Sequence, residues 1–330
     1  MKYFPKKLTM TWIRNSYKEG SLTPEELAGE IVRRAEKYRD YNIWIVAPDL
    51  KRMMDYIEKL PKDMESLPLW GIPFAVKDNI DVAGSPTTAA CPDYAYDPEE
   101  DAAVVKKLIK AGAFPVGKTN LDQFATGLVG TRSPYGEVKN ALDPELISGG
   151  SSSGSAVSVA LGMAAFSLGT DTAGSGRVPA ALNCLVGYKP SLGAWSTKGV
   201  VPACASLDCV TVFANSLEDA EEVNLAARGV DEECCWSRAY KEPLPKLPKK
   251  ICLAKDGVTF YGPYEDIYKA KWEQAKKRIE DMGITVEYID YTMFSKAASI
   301  LYDGPWVAER WKDLGDFVES HPGKVFPVTE

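Results

Sequence analysis

The sequence has a single histidine, His321, among its 330 residues. This scarcity excludes metal sites built from several histidines. It also leaves a Ser-His-Asp triad dependent on one residue near the end of the chain. If the protein is a hydrolase, we therefore expect its general base to be a residue other than histidine.

Three further absences narrow the class of protein. No apolar run approaches the length of about 18 residues that a membrane span needs, and the N-terminus has no apolar segment typical of a secretory signal. Basic residues are not in excess, because 39 lysines and arginines face 46 aspartates and glutamates for a net charge of −7. We therefore expect neither a membrane nor a nucleic acid as partner.

The seven cysteines form an odd set that contains no C-x-x-C motif. Such a set is typical of reduced thiols in a cytoplasmic protein, which is the location we predict.

The residues that are present predict an α/β protein. Apolar residues make up 45% of the chain and charged residues 26%, an ordinary balance for a globular protein. A capping box at Thr23–Glu26 predicts a helix that ends near Lys37. The apolar run 69–76 predicts a buried strand, a helix is expected over 97–111, and a short strand over 113–117.

Residues 148–176 are rich in glycine and serine, which by itself would suggest a flexible linker. The small apolar run 156–166 contradicts a linker and predicts a tightly packed, buried helix. A buried helix between two glycine-rich loops is more typical of a functional site.

The proline-rich and lysine-rich stretch 238–249 is the best internal boundary. After it, a strand over 251–255, a helix over 264–282 and a strand over 284–289 predict a β-α-β unit with two parallel strands.

Two short motifs match known patterns without the structural context that those patterns require. Residues 112–119 fit the P-loop pattern, but a helix is predicted before them and Pro115 removes an amide that a phosphate cradle would use. Residues 150–154 fit the G-x-S-x-G nucleophile elbow, but no strand is predicted before them. We therefore expect neither a nucleotide site nor a histidine-dependent elbow, and no cofactor.

Lys77 directly follows the predicted buried strand. Its side chain either extends to the surface, as most lysines do, or is desolvated, which would lower its pKa and make it a general base. A second glycine-rich loop, 170–177, has small residues before Ser175. Its backbone amides either form an ordinary tight turn or approach a substrate oxygen as an oxyanion hole.

Five segments, in this order, resemble the amidase signature family: 71–80, 112–124, 149–155, 169–181 and 206–214. The resemblance implies an α/β amidase signature fold, with a mixed central β-sheet covered by helices on both faces. It also implies a triad of Ser175 as nucleophile, Ser151 as a bridging serine on a cis peptide, and Lys77 as base. The implied oxyanion hole consists of the amides of Thr172, Ala173, Gly174 and Ser175.

Within the family, the chain most resembles the allophanate hydrolase branch, because of Ala173 in the nucleophile loop and the segment 301–311. The resemblance implies hydrolysis of the terminal amide of allophanate with release of ammonia. It assigns substrate binding to Tyr302, Arg310 and Gly127. Without the resemblance, Arg310 is equally well interpreted as a solvated charge on a helix, beside a core stripe of Val307, Trp311 and Leu314.

The resemblance implies one amidase signature domain over 1–330, with a helical segment over residues 1–68, a core 69–230, a proline-rich connection 231–249 and a last segment 250–330. The family domain continues beyond this point, so we expect the fold to be incomplete at its C-terminus and a separate C-terminal domain to be absent. A homodimer is compatible with the sequence. Other family amidases, the A-type subunit of tRNA amidotransferases and an inactive scaffold remain as alternatives.

Overall fold

A mixed six-stranded β-sheet forms the centre of the larger part of the molecule. The computed structural model describes residues 2–241, 246–256 and 258–330, without the side chains of residues 302 and 303. Along the chain, the strands of this sheet are β1 (Trp44–Val46), β2 (Pro73–Lys77), β3 (Phe114–Thr119), β4 (Phe166–Asp171), β5 (Val186–Tyr188) and β6 (Cys209–Ala214). Their order in the sheet is β1-β3-β2-β4-β6-β5.

The middle of the sheet is parallel and its outer pairs are antiparallel. Strand β2 runs parallel to both β3 and β4, whereas β1, β5 and β6 pair in antiparallel fashion. Strands β2, β4 and β6 are buried along their whole length, as expected for central strands of a sheet that is covered on both faces. Because β2 and β4 are parallel neighbours, their carboxyl ends lie at the same edge of the sheet.

Seven helices in the described part precede the boundary region. They are α1 (Met10–Lys18), α2 (Pro24–Lys37), α3 (Leu50–Ile57), α4 (Ala103–Lys110), α5 (Ser153–Ala160), α6 (Val178–Leu182) and α7 (Leu217–Ala227). Both hydrogen bonds of the predicted capping box are present at the start of α2. Helices α3 to α7 each pack against strands of the sheet, so the predicted α/β architecture with a mixed central sheet is confirmed.

The predicted small-residue helix exists and all eight residues of α5 are buried, but its predicted C-terminal end is wrong. The helix ends before Gly162, which adopts a left-handed conformation with φ of +70°. A side chain at Gly162 would lie 2.2 Å from the carbonyl oxygen of Lys6. The chain then turns, and Phe166 begins β4 instead of ending the helix.

Two other predicted elements begin later than the sequence suggested. Residues 69–72 form a turn, closed by a hydrogen bond from the Ile72 amide to the Leu69 carbonyl, so β2 begins only at Pro73. Helix α4 begins at Ala103 because Asp101 and Ala102 are hydrogen-bonded to the segment 81–83. Those bonds hold the preceding residues outside the helix.

The chain divides into two compact units, Met1–Tyr240 with Lys312–Glu330, and Lys241–Trp311. The second unit contains the parallel strands β7 (Lys250–Ala254) and β8 (Thr285–Ile289), which confirms the predicted β-α-β unit. Its helices are α8 (Glu265–Asp281), α9 (Thr292–Asp303) and the start of α10 (Trp306–Ser320). Residues 242–245 of the proline-rich connection lie outside the described residues, and the single-domain division stays a prediction.

The last residues of the chain are part of the first unit. Leu314 and Val325 join a buried apolar cluster with Ala89, Cys91 and Phe124. The Phe326 amide donates to the side-chain oxygen of Gln123 at 2.6 Å. Among the described helices, none combines the length and the apolar character needed to cross a membrane.

Candidate active site

A buried lysine and two hydroxyl groups meet at the edge where β2 and β4 end. Lys77, the last residue of β2, is completely buried. Its Nζ lies 2.8 Å from Ser151 Oγ and 2.7 Å from Thr170 Oγ1. Lys77 is therefore desolvated and does not extend to the surface.

The protonation of Lys77 follows from this burial. Desolvation lowers the pKa of Lys77 from its ordinary value of 10.5 to about 7, and it outweighs the opposing effect of Asp122, Asp208 and Asp171. A lysine with a pKa near neutrality carries a free lone pair in a large fraction of molecules. It has the proton affinity that a general base needs.

Ser151 is fixed by its backbone and by its neighbour. The Gly150–Ser151 peptide is cis, as the resemblance implied. The Ser151 carbonyl accepts a hydrogen bond from the Asp122 amide at 3.0 Å, and Ser152 Oγ donates to the Thr170 carbonyl at 3.1 Å. These bonds tie the segment before α5 to Asp122 and to the end of β4, and the Ser151 hydroxyl lies beside Lys77.

Ser175 lies in the loop between β4 and α6 and is 5% exposed. Its hydroxyl donates to the Gly127 carbonyl at 3.4 Å. Among the residues that the structure describes, no hydrogen bond joins Ser175 to Ser151. The structure thus brings Lys77 and Ser151 into contact and holds Ser175 against Gly127.

One carboxylate holds the loop on both sides of Ser175. Asp171 accepts hydrogen bonds from the amides of Gly174 and Gly176 at 2.7 and 3.0 Å. Arg177 adds two more, from Nε at 2.9 Å and from an Nη at 3.0 Å. Burial raises the pKa of Asp171, but these hydrogen bonds outweigh burial and leave the pKa below its ordinary value. A charged Asp171 therefore fixes the backbone that carries Ser175.

The loop amides predicted to form an oxyanion hole do not have the same environment. The Gly174 amide is occupied by Asp171. Within the described residues, the amides of Thr172, Ala173 and Ser175 make no hydrogen bond. The Thr172 hydroxyl donates to buried Asp208, so this part of the loop is also anchored. Three amides of this loop, on either side of the occupied Gly174 amide, are thus available as donors for an oxygen atom of a substrate.

The two motifs that lacked their expected context form other structures. Residues 114–119 are strand β3, and Lys118 is a buried ion-pair partner of Asp78 at 3.2 Å. No strand ends at 150–154, where helix α5 begins instead. Within the described residues, no cluster of three or more histidine, cysteine or acidic side chains is arranged to hold a metal ion.

The three residues predicted to bind the substrate differ in what the structure describes. Gly127 faces Asp122, and a side chain at Gly127 would lie 2.6 Å from Asp122 Oδ2, so only glycine fits. Arg310 lies on α10 with its guanidinium 5.0 Å from the Trp306 ring centre. The side chain of Tyr302 lies outside the described part of the chain. The roles of all three stay predictions.

His321 lies at the end of α10, where its ring stacks on Phe317 at 4.4 Å. Its Nδ1 is 3.1 Å from the Phe317 carbonyl and 2.9 Å from Ser320 Oγ. Through these contacts, His321 packs against residues of its own helix.

Three residues that support the site are not predicted by the sequence motifs. Thr170, Asp171 and Arg177 all lie in the segment 169–181, but the motif gives none of them a role. Asp171 and Arg177 are six positions apart, and only the folded loop shows that they pair. Thr170 is one hydroxyl among many in this region, and its contact with Lys77 depends on the pairing of β2 with β4.

The replacement Thr170→Val tests whether this hydroxyl orients Lys77. Loss of an acceptor for the Lys77 ammonium further lowers the pKa of Lys77. The rate of the catalysed reaction should rise with pH as Lys77 loses its proton, and in the variant this rise should occur at lower pH. We expect the maximal rate to fall about tenfold, because the amine is no longer held beside Ser151. The control Thr170→Ser keeps the hydroxyl and should restore both values. An unchanged profile in Thr170→Val would show that the contact has no role.

Comparison with known proteins gives a consistent set of relatives. The family model described as Amidase matches residues 26–320. The urea amidolyase of Saccharomyces cerevisiae is 47% identical over 288 residues, which are 86% of this chain and 16% of that protein. The A-type subunit of the glutamyl-tRNA(Gln) amidotransferase of Methanosarcina mazei is 35% identical over 303 residues, which are 90% of this chain and 62% of that protein.

The fold also matches solved structures. The allophanate hydrolase of Kluyveromyces lactis superposes with a TM-score of 0.87 and 41% identity, over 97% of this chain and 53% of that one. The chain therefore spans about half of this structure and a smaller share of the urea amidolyase.

Proposed function

The chain belongs to the amidase family, and from this premise we propose that it hydrolyses the terminal amide of allophanate and releases ammonia. The observation that carries the reaction type is the contact between buried Lys77, with its pKa lowered to about 7, and Ser151 Oγ at 2.8 Å. The similarity to urea amidolyase and to allophanate hydrolase supports the choice of substrate.

In the proposed mechanism, neutral Lys77 takes a proton from Ser151, and Ser151 takes one from Ser175. Before this transfer, the Ser175 hydroxyl must leave the Gly127 carbonyl and turn towards Ser151. A missing or long hydrogen bond in the free enzyme is compatible with this step, since catalytic hydrogen bonds often tighten only with bound substrate. Ser175 Oγ attacks the carbonyl carbon of the terminal amide.

The oxyanion that results would be stabilised by the loop amides. The free amides of Thr172, Ala173 and Ser175 are suitable donors, while the Gly174 amide must first leave Asp171 to contribute. The proton then passes back through Ser151 to the leaving nitrogen, and ammonia departs. Water, activated by the same relay, cleaves the acyl-enzyme to N-carboxycarbamate, which can lose carbon dioxide.

The substrate is a small anion, with a carboxylate beside a urea-like amide. We propose that Arg310 and Tyr302 bind this carboxylate end and that the Gly127 backbone contacts the substrate. A guanidinium can bind a carboxylate through two parallel hydrogen bonds, which a lysine cannot reproduce.

The replacement Arg310→Ala should lower kcat/KM for allophanate by about 10²-fold, the effect of losing a charge-assisted pair. The rate with a neutral amide such as acetamide should hardly change. The control Arg310→Lys keeps the positive charge but not the planar guanidinium, so it should recover only part of the lost kcat/KM. Equal losses on the anionic and the neutral substrate would show that Arg310 has a structural role.

A second candidate function is ammonia production from glutamine, which the 35% identity to the amidotransferase favours. An ammonia assay with allophanate, glutamine and acetamide separates the two. Release from glutamine alone would overturn the allophanate proposal. We also propose a cytoplasmic location, supported by seven free thiols, and a homodimer stays compatible with the proposal.

A further inference from the structure

Two adjacent cysteines line a cavity that the proposed reaction does not use. Cys234 is half-buried and Cys235 is exposed. They lie in the turn 233–236, which faces the segment 197–208 across a cavity of about 200 Å³. The cavity is large enough for a small aromatic group, and both cysteines contribute to its lining.

The turn that carries these thiols is held in place. Ser196 Oγ donates to Asp231, and Lys198 pairs with Glu233. The Arg238 amide donates to the Gly193 carbonyl at 2.8 Å. The two thiols are therefore presented by a fixed turn, which lowers the entropy lost when one ligand binds both of them.

Cys234 has the surroundings of a reactive thiol. Its Sγ is 3.5 Å from Thr197 Oγ1. Burial raises the pKa of Cys234, but hydrogen bonds from Thr197 and from the Trp236 backbone outweigh burial and lower the pKa below its ordinary value. In contrast, burial raises the pKa of Cys91 and Cys209.

From this geometry we infer that Cys234 and Cys235 form a dithiol site for a soft, thiophilic ligand of the trivalent arylarsenical class. The arsenic binds both sulfur atoms, and the aryl group fills the cavity. With phenylarsine oxide, two As–S bonds form, the As–O bond breaks, and the oxygen leaves as water with the two thiol protons. The arsenic stays trivalent, so no oxidant or reductant is needed.

The far wall of the cavity connects this site to the nucleophile loop. Asp208 lines the cavity and accepts hydrogen bonds from the Thr172 hydroxyl and from the Ala203 amide. An aryl group in the cavity therefore lies against the residue that anchors one end of the loop 172–175.

The test is intact-mass measurement of the full chain after one equivalent of phenylarsine oxide. We expect one arsenic per chain, which survives a wash with a monothiol and is removed by 2,3-dimercaptopropanol. Cys234→Ser and Cys235→Ser should each weaken binding by at least tenfold. The control Cys184→Ser, which removes an exposed thiol outside the cavity, should bind like the wild type. Circular dichroism verifies that each variant is folded.

A second variant tests the cavity separately from the thiols. Ala205 lines the cavity. The replacement Ala205→Phe should weaken the binding of phenylarsine oxide at least tenfold. It should leave the binding of inorganic arsenite, which has no aryl group, unchanged. Loss of arsenic in the monothiol wash, or equal binding by the double variant of Cys234 and Cys235, would overturn the proposal. Since the readout is bound arsenic, it is independent of whether the chain hydrolyses allophanate.

Discussion

Replacing Ser175 with alanine is expected to lower ammonia release from allophanate by at least about 10³-fold. The substitution removes one oxygen atom, which is the proposed nucleophile. Among the described residues, the same oxygen makes a single long hydrogen bond, 3.4 Å to the Gly127 carbonyl, so its loss should hardly change the free energy of unfolding. An ammonia assay and urea denaturation of the same preparation measure both effects.

The matched control is Ser191→Ala, which removes an exposed serine hydroxyl outside the site and should leave the rate unchanged. A fluorophosphonate probe should label the wild type and the control, but not Ser175→Ala. If Ser175→Ala kept more than about a tenth of the rate, another nucleophile would be responsible. If the folded wild type resisted the probe, the inactive-scaffold alternative would gain support.

The parts of the site that were predictable from sequence are those that local patterns determine. Lys77 follows a buried apolar run, and Ser175 lies in a glycine-rich loop, so each is visible within a few residues. The pattern could not place the start of β2, because the turn 69–72 is as apolar as the strand after it. Hydrogen bonding of the turn, not hydrophobicity, makes that distinction.

The supporting contacts depend on the whole fold and could not be predicted. Asp208 reaches Thr172 only because β6 pairs with β4. On α10, the spacing of Val307, Trp311 and Leu314 suggested a core stripe. Leu314 is 7% exposed, but Val307 and Trp311 are each 52% exposed. Helical spacing shows which residues share one face of a helix. It does not show how much of that face is buried by other parts of the protein.

Replacing Lys77 with methionine should also lower the rate by about 10³-fold, because it removes the general base while keeping most of the side-chain volume. In the wild type the neutral amine is the active form, so kcat should rise with pH through about 7. Lys77→Met should lack this acidic limb. A residual rate that still rises through the same pH would show that another group titrates there.

The same lysine should make the stability of the wild type depend on pH in a defined direction. The pKa of Lys77 is about 7 in the folded protein and has an ordinary value of 10.5, so the unfolded chain binds more protons between these values. The free energy of unfolding therefore gains a contribution from Lys77 as pH rises from about 7 towards 10, and below 7 this contribution is constant. Lys77→Met lacks the ionisation, so the difference in stability between wild type and variant should move in favour of the wild type over that range.

Urea denaturation of both proteins at pH values of about 6, 8 and 9.5 measures the difference. A constant difference would mean that Lys77 keeps an ordinary pKa in the folded protein, and the proposed relay through Ser151 would lose its base at neutral pH.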